Sequence, residues 1–328
     1  MEEQNKIEEK RIQDFQVGDR IQNFFIIKAL EIRKNKNNKD YANLILGDQS
    51  GEINAKIWDL NNVDISLYQE NVLIKVRGRV TEWQSQLQFN IEKIRRAKEE
   101  DGVFIRDFVQ SAPYDSKWMY QEIVNYLDKI ENQDIRMIAE YILESKKEKL
   151  MYFPAAKSNH HAIRGGLLYH TLTMLRAGEK LLEVYTSLNK DLLFGGVILH
   201  DMAKIEEMDA NELGIVNDYQ VEGKLLGHII QGIKQINQVG NELGADPEII
   251  MLLEHMVLSH HYEPEFGSPK KPLIPEAELL HYLDIIDARL YDMNTALSNT
   301  KKGEFSEKVW TLDNRRLYRA YLESIDKE

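Results

Sequence analysis

The sequence has no cysteine in 328 residues. Disulfide bonds, thiolate zinc sites and a cysteine nucleophile are therefore excluded, and any metal ion must be bound through nitrogen and oxygen atoms. No stretch approaches the roughly 20 apolar residues that span a bilayer. The charged N-terminal segment MEEQNKIEEKRIQDF also lacks the apolar core of a signal peptide. We therefore expect a cytoplasmic protein with no membrane partner.

The chain is acidic overall, but its charge is unevenly distributed. The formal net charge is −12, and a uniformly acidic surface would repel a phosphate-bearing substrate. Between Val72 and Lys98, however, seven basic residues outnumber the two acidic ones, Glu82 and Glu92. The basic residues are Lys75, Arg77, Arg79, Lys93, Arg95, Arg96 and Lys98. This local basic strip permits a polyanionic partner.

The first part of the chain, from about Asp14 to Ala97, has the two-residue period of β-strands. Apolar residues alternate with Lys75, Arg77 and Arg79. The turn-rich segments KNKNNKD and GDQSGE separate further apolar runs. Five short strands in this part predict a small closed barrel.

Candidate nucleic-acid contacts lie in this barrel. The segment LILGDQSGEINAKIWD resembles the second and third strands of OB-folds, which bind single-stranded nucleic acid on a barrel face. On this resemblance Lys75, Arg77 and Arg79 contact phosphates, although alternating cations also mark an ordinary solvated strand face. The aromatic residues considered for base stacking are Tyr41, Trp58, Trp83 and Phe89. Phe89 is in phase with core residues and is assigned to the core, while Trp83, in the polar turn EWQSQ, is the strongest candidate.

After Ala97 the hydrophobic period becomes that of α-helices. The predicted helices span residues 119–130, 135–147, 167–185, 192–207, 221–243, 247–259, 275–298 and 312–324. The sequence thus predicts a multidomain β + α protein. A five-stranded OB-type barrel occupies residues 1–98, a helical linker region occupies 99–159, and an all-α domain ending in C-terminal helices occupies 160–328.

Five histidines and two aspartates form an ordered set on these helices: His170, the doublet His200-Asp201, His228, the doublet His260-His261, and Asp284. His200 and Asp201 follow the apolar run LLFGGVIL, and burying a carboxylate without a partner costs several kcal/mol. A metal ion would supply that partner. A lone histidine such as His170 on an apolar helix is, by contrast, more often an ordinary core residue.

The motif LHDMAK resembles the signature of the HD superfamily of metal-dependent phosphohydrolases. The resemblance implies a minimal ligand set of His170, His200, Asp201 and Asp284. It further implies that His228, His260 and His261 are extra ligands, as in members that hold two ions. Asp287 follows Asp284 by three residues and is expected beside the ligands or in a salt bridge. The histidines without a place in this scheme are His160, His161, His255 and His281.

The donor set indicates the chemistry. Imidazole and carboxylate donors suit Mn²⁺, Fe²⁺, Co²⁺ or Zn²⁺ better than Mg²⁺. Such an ion activates water near neutral pH, and Asp201 can orient that water or accept its proton. Lys204, one helical turn after His200, can neutralise charge on phosphate oxygens. The alternative for Lys204 is a salt bridge to Glu206 or Glu207.

Nearly the whole chain resembles the YhaM family of 3′-5′ exoribonucleases, which pairs an N-terminal OB-fold with a C-terminal HD domain. The resemblance rests on PAAKSNHHAIRGGLLYHTLTML, ILHDMAK, EGKLLGHI, LSHHYEPEFGSPKKP and EAELLHYLDIIDAR. It implies a Mn²⁺-dependent hydrolase, with one or two ions per subunit, that removes nucleoside 5′-monophosphates from the 3′ end of single-stranded RNA and in some members of DNA. We also expect a homo-oligomer.

The resemblance gives two polar segments a role. Asn159, His160 and Arg164 precede the first ligand, and Lys270 and Lys271 follow the His-His doublet. These residues either contact the phosphates of the terminal nucleotides or are ordinary surface residues. Two other functions stay open at this point: an HD phosphohydrolase acting on an alarmone or cyclic nucleotide, and a non-catalytic nucleic-acid-binding protein.

Overall fold

The computed structural model describes residues 8–61 and 63–322. The chain divides into two compact units, Met1–Gln110 and Ser111–Glu328, and each is described by itself. Among the described residues, none of the helices combines the length and apolarity needed to traverse a bilayer.

The first unit is a closed five-stranded barrel, which confirms the predicted OB-type fold. Its strands are β1 (Arg20–Lys34), β2 (Asp40–Asp48), β3 (Gly51–Ile57), β4 (Leu73–Trp83) and β5 (Gln86–Arg96), in the order β1-β2-β3-β5-β4 around the barrel. All neighbouring strands are antiparallel except β3 and β5, whose parallel pairing closes the barrel together with the pairing of β1 with β4.

The period-two pattern places apolar side chains inside this barrel. Ile74, Val76 and Val80 of β4 are buried, and the basic residues between them face outward. Phe89 is also fully buried, and its ring centroid lies 5.9 Å from that of Phe15. Gly78 is required where β4 and β5 change register, since a Cβ there would lie 2.2 Å from the carbonyl oxygen of Asn90. Phe89 is therefore a core residue, as its phase predicted.

The second unit is mainly helical. Its elements are α1 (Ser116–Leu127), α2 (Gln133–Ser145), α3 (Lys147–Leu150), α4 (Gly166–Leu182), α5 (Lys190–Leu199), α6 (Lys204–Glu207), the hairpin β6 (Met208–Ala210) and β7 (Val216–Tyr219), α7 (Val221–Leu243), α8 (Pro247–Ser259) and α9 (Pro275–Ser298). The helices α1 and α2 lie in the sequence predicted as a linker region, yet they contribute Met119 and Ile138 to the same core as Leu168 and Leu193. These two helices are therefore part of the second unit.

Two helix predictions differ most from the structure. The helix predicted over 192–207 is interrupted, because α5 ends at Leu199 and the His200-Asp201 doublet lies in the turn before α6. The C-terminal helix predicted over 312–324 is wrong for its described residues. Asp313 and Asn314 have φ values of 59° and 57°, and the chain forms isolated β-bridges from Val309 to Arg315 and from Phe305 to Tyr318. Left-handed backbone at two consecutive residues cannot continue an α-helix. Residues 323 and 324 of that prediction lie outside the described residues.

Candidate metal centre

The ends of two helices and the middle of two others converge on one buried point. His170 projects from the middle of α4, and Asp284 lies in α9. His200 and His260 are the C-cap residues that directly follow α5 and α8. His170, His200 and His260 are fully buried, and Asp201 is 2% exposed. Four segments that are far apart in sequence thus bring imidazole and carboxylate groups together in the core.

A fourth histidine, His228, is placed by a break in α7. Gly227 has φ 69° and ψ 166° inside this helix, a conformation that is essentially limited to glycine. The helix restarts at His228, whose backbone N–H donates to Oε1 of Glu207 at 3.1 Å. Oε1 of Glu207 also lies 3.2 Å from Nδ1 of the His228 ring. Glu207 therefore caps the second half of α7 and orients the imidazole at the same time.

Asp201 lies at the middle of the cluster, with each carboxylate oxygen facing a different pair of histidines. Oδ2 lies 3.4 Å from Nε2 of His200 and 3.7 Å from Nε2 of His170. Oδ1 lies 3.5 Å from Nε2 of His228 and 3.9 Å from Nε2 of His260. The donors thus form two groups that share one carboxylate.

Nδ1 of each of the five histidines among the ligand candidates faces a hydrogen-bond partner outside the cluster. Nδ1–H of His200 donates to the carbonyl of Val197 at 2.7 Å, and Nδ1–H of His260 donates to that of Val257 at 2.7 Å. The outer partners of His170, His228 and His261 are Asp287, Glu207 and the carbonyl of Phe266. A proton held on Nδ1 leaves the Nε2 lone pair free to bind a metal.

The polar atoms of this cluster fit a divalent cation. Oδ1 of Asp201 and Nε2 of His228 and His260 are buried and have no hydrogen-bond partner in the described part of the chain. Such orphaned atoms cost free energy unless something binds them. Donor atoms of His228, His260 and His261 lie within 4.8 Å of one another, as do those of His170, His200 and Asp201. Imidazole and carboxylate are the donors that divalent transition metals accept.

The charges of the metal-free cluster are strongly coupled. Burial would raise the pKa of Asp201, but Lys204 and His200 outweigh it and hold that pKa well below its usual range. Burial opposes charge on His170, but hydrogen bonds to Asp284 and Asp287 raise its pKa to about 10. Burial lowers the pKa of His260. In the metal-free protein a proton on His170 therefore offsets the negative charge of Asp284 and Asp287. A bound metal ion would take over that role.

Lys204 is paired with the central carboxylate. Its Nζ donates to Oδ2 of Asp201 at 2.7 Å. Burial opposes its charge, but Asp201 raises the pKa of this lysine, which is therefore a cation. The alternative partners are engaged elsewhere, since Glu206 pairs with Lys146 and Glu207 with His228. The lysine that the sequence placed beside the doublet thus contacts it directly.

A cavity of about 620 Å³ opens onto this centre, within the range of small-molecule sites. His228, His261 and Asp284 reach it from the metal centre, and Lys204 lines it beside them. It belongs entirely to the second unit. A phosphate entering this cavity would meet a cationic amine and the metal donors together.

Known protein families match both the barrel and the helical part of the chain. The HD domain model matches residues 167–289, and a model described as an OB-fold nucleic acid binding domain matches residues 27–97. A "3'-5' exoribonuclease YhaM" of Geobacillus sp. (strain WCH70) is 39% identical over 96% of this chain and 97% of its own length. The protein of the same name from Shouchella clausii (strain KSM-K16) is 40% identical over 94% of this chain and 96% of its own length. The chain belongs to the YhaM family.

The structure also locates the remaining histidines of this YhaM-family chain. Nε2 of the buried His161 lies 2.7 Å from Oδ2 of Asp287, which is also the partner of His170. Nδ1–H of His281 donates to the carbonyl of His260 at 2.7 Å, and Nε2 of His255 accepts from the backbone of Leu273. The sequence placed Asp287 beside the ligands but gave no signal for its contact with His161. None of these three histidines faces the shared carboxylate.

The structure separates the predicted phosphate contacts of the second unit. Asn159 and His160 line the cavity, and burial lowers the pKa of His160 to about 3, so its imidazole is neutral. Arg164, Lys270 and Lys271 are not among the lining residues. Nε of Arg164 donates to the carbonyl of Glu212, and Lys271 lies 3.6 Å from Glu263.

Three aromatic residues of the cavity were missed by sequence reasoning: Tyr219, Phe266 and Trp310. Tyr219 lies in β7, and Phe266 and Trp310 lie in short 3₁₀ turns, elements too brief to show a hydrophobic period. In the sequence, each of them stands out only as an aromatic residue within a segment rich in turn-forming residues.

The barrel of this YhaM-family chain presents its candidate contacts on more than one part of its surface. Lys75, Arg77 and Arg79 face outward from β4, with Nζ of Lys75 4.7 Å from the Phe24 ring centroid and Nε of Arg77 4.0 Å from Glu92. Trp83 is 64% exposed at the end of β4, beside a turn in which Gln84 and Ser85 have positive φ.

A second aromatic site lies on β2 and at the end of β3. The rings of Tyr41 and Trp58 stack with centroids 4.9 Å apart, and Nζ of Lys56 lies 4.9 Å from the Trp58 ring. The indole N–H of Trp58 donates to Oδ1 of Asn90 at 2.9 Å. This fixed pair offers an aromatic face next to a cation, a combination suited to a nucleobase and its phosphate.

Proposed function

We propose that this chain is a metal-dependent 3′-5′ exoribonuclease that hydrolyses single-stranded RNA, with single-stranded DNA as a further substrate. The observation that carries the proposal is the position of the buried Asp201, whose two oxygens face two groups of histidines. Lys204 donates a hydrogen bond to this carboxylate and also lines the open cavity. The polarity and the RNA substrate come from the names of the two relatives, which match nearly the whole chain.

The first donor group would hold one divalent cation through His170, His200, Asp201 and Asp284. The second group would hold another through Asp201, His228, His260 and His261. The donors mix imidazole with carboxylate, a set that suits Mn²⁺, Fe²⁺, Co²⁺ or Zn²⁺ better than Mg²⁺. Among these we propose Mn²⁺, the ion that the family resemblance implies. When bound, such an ion lowers the pKa of water and polarises a phosphate oxygen.

The residues of the chain have distinct parts in this reaction. Asp201 holds its position through Lys204 and can accept a proton from the attacking water. Lys204 stays cationic although its side chain is only 12% exposed, and it lines the cavity, so its ammonium can neutralise charge that builds on the phosphate during attack. The neutral His160 and Asn159 are hydrogen-bonding groups available to the scissile nucleotide.

The barrel would raise the local concentration of single strands near the hydrolase. Its stacked pair Tyr41 and Trp58, with Lys56, would bind a base and an adjacent phosphate, and Trp83 would stack on a further base. The outward Lys75, Arg77 and Arg79 would supply sequence-independent contacts to the backbone. A small nucleotide would not need such a module.

The first experiment is to incubate the purified chain with Mn²⁺ and 5′-labelled single-stranded RNA or DNA, and to resolve the products by length. We expect a ladder that shortens from the 3′ end, abolished in Asp201→Ala and retained in Asp209→Ala, which removes an exposed aspartate of β6. RNA left intact by the wild type, with turnover of an alarmone or cyclic nucleotide, would refute the proposal and favour a small-nucleotide hydrolase. Light scattering of the same sample tests the expected homo-oligomer.

A further inference from the structure

Two large aromatic side chains lie exposed in the cavity that opens onto the metal centre. Trp310 is 67% exposed and Phe266 is 69% exposed, and both line the cavity with Lys204, His261 and Asp284. Other aromatic rings of the described residues are comparably exposed, so it is the shared position of these two rings in one cavity that sets them apart. Their shared place beside charged and metal-binding groups points to a ligand that is apolar at one end and anionic at the other.

Phe266 is tied to the metal centre through the backbone. Its carbonyl accepts a hydrogen bond from Nδ1 of His261 at 2.6 Å, and the backbone N–H of His261 donates to Oγ of Ser268 at 3.0 Å. Between them Gly267 takes φ 98°, and Ser268 is fully buried. This short loop therefore holds the Phe266 ring at a fixed place relative to a candidate ligand of the metal.

Trp310 is held by the segment that follows α9. It begins a 3₁₀ turn that ends at Leu312, which is fully buried. The next residue, Asp313, pairs with Arg289 of α9 at 2.8 Å. A backbone bridge between Val309 and Arg315 closes the same segment. Trp310 is therefore presented to the cavity by anchored structure, and its exposure is not that of a fraying terminus.

We propose that Trp310 and Phe266 stack on the base of the nucleotide at the 3′ end of the substrate and so position the terminal phosphodiester over the metal centre. This inference rests on the proposed function. Base stacking suits such an enzyme because every base has an aromatic face, so successive nucleotides of any sequence are bound alike. The ring contacts would act as positioning contacts, while Lys204 and the metal donors contact the phosphate.

The test pairs a change in the protein with a change in the substrate. Two short RNAs are compared, one ending in adenosine and one identical except that its 3′-terminal nucleotide is abasic. We expect wild-type kcat/KM to be about tenfold higher for the adenosine-ended RNA. In the double variant Trp310→Ala with Phe266→Ala, kcat/KM should be the same for both RNAs and equal to the wild-type value for the abasic RNA. Trp310→Phe combined with Phe266→Ala should restore part of the preference, because a phenyl ring at position 310 still stacks.

A binding measurement separates stacking from chemistry. Anisotropy of the same RNAs, labelled at the 5′ end and mixed with the metal-free protein in chelator, should show the same loss of preference in the double variant. Trp118→Ala is the matched control, since Trp118 is an exposed tryptophan of α1 that does not line this cavity. It should keep the wild-type preference.

The outcomes distinguish the two proposals. Cleavage of RNA with the same substrate preference in wild type and double variant would overturn the stacking role and leave the exonuclease intact. Failure of the wild type to shorten either RNA would overturn both. Loss of Mn²⁺ binding in the double variant would also count against stacking, because it would show that the loop supports the metal ligands instead.

Discussion

Oδ2 of Asp287 accepts a hydrogen bond from Nδ1 of His170 at 2.7 Å, which directs Nε2 of that histidine into the metal centre. The same oxygen lies 2.7 Å from Nε2 of the buried His161. A carboxylate behind a ligating imidazole fixes the ring and its tautomer and increases its basicity. Asp287 therefore contributes to the centre without being one of its ligands.

Replacing this carboxylate should weaken metal binding. For Asp287→Asn we expect Mn²⁺ affinity to fall about 10- to 100-fold, measured by isothermal titration calorimetry. The matched control, Glu278→Gln, removes another carboxylate from α9 and should leave the affinity unchanged. An unchanged affinity in Asp287→Asn, with a folded protein, would show that Asp287 has only a structural role.

Removing the amine of Lys204 should separate catalysis from metal binding. In Lys204→Met we expect kcat to fall by about 100-fold or more, since a preorganised charge at the phosphate is lost. Mn²⁺ affinity should be retained or increased, because Lys204 pairs with the same Asp201 oxygen that faces His170 and His200. Lys204→Arg keeps the charge and is the comparison. A parallel loss of metal binding and activity would contradict the assignment.

Metal uptake should become tighter as pH rises. The pKa of His170 is raised to about 10 in the metal-free protein, because its hydrogen bonds to Asp284 and Asp287 outweigh the effect of burial. The imidazole therefore carries a proton through the neutral range, and that proton must leave before Nε2 can bind a metal. Calorimetry in buffers of different ionisation enthalpy should detect proton release on Mn²⁺ binding and higher affinity at pH 8 than at pH 6.

The stability of the metal-free protein should decrease as pH rises, whereas metal affinity increases. A raised folded-state pKa stabilises the fold below the unfolded value of about 6.5, and that contribution is lost as pH rises toward the folded value. We expect the share of unfolding free energy due to His170 to decrease from neutral to alkaline pH. The His170→Gln variant should lack this part of the pH dependence in urea unfolding.

The break in α7 should be sensitive to a single methyl group. Gly227→Ala forces a side chain into φ 69° and ψ 166°, which costs about 1–3 kcal/mol of stability. It should also weaken Mn²⁺ binding, because the adjacent His228 loses its orientation. Gly244→Ala is the control, since Gly244 has φ 70° at the end of the same helix, away from the metal centre. It should cost stability without changing metal affinity.

The aromatic pair of the barrel should affect RNA binding alone. Trp58→Ala removes one ring of the stack with Tyr41 and its contact with Lys56. Loss of one stacked base weakens RNA affinity by about 1–3 kcal/mol, measured by anisotropy, while Mn²⁺ affinity stays the same. Trp58→Phe should retain part of the affinity. Equal RNA binding by Trp58→Ala and wild type would place the single strand elsewhere on the barrel.

Much of this fold could be predicted because hydrophobic periodicity is a local signal. The alternation around Ile74 and Val76 defined the barrel, and the apolar sequence before His200 and Asp201 indicated buried polar groups that need a partner. The contact of His161 with Asp287 depends on the rotation of α9 against the loop before α4, which no single segment encodes. The exposure of Trp310 likewise depends on how the last segment packs.

The incorrect C-terminal helix shows the limit of the same signal. Leu312 and Leu317 are buried in the unit, so their apolar character was read correctly. Asp313 and Asn314 between them adopt left-handed conformations, which short polar side chains tolerate better than most. Contacts with α9, including the pair of Asp313 and Arg289, outweigh the helical pattern.

The parallel pairing of β3 with β5 limits how far the barrel can bind other chains through its backbone hydrogen-bonding groups. Because the five described strands close on themselves, none of them presents a full free edge of backbone donors and acceptors. Closure thereby shortens the backbone edges on which a peptide or a second barrel could add a strand. We therefore expect the outward side chains, more than strand addition, to determine what this barrel recognises, so that single substitutions can alter recognition while the fold is kept.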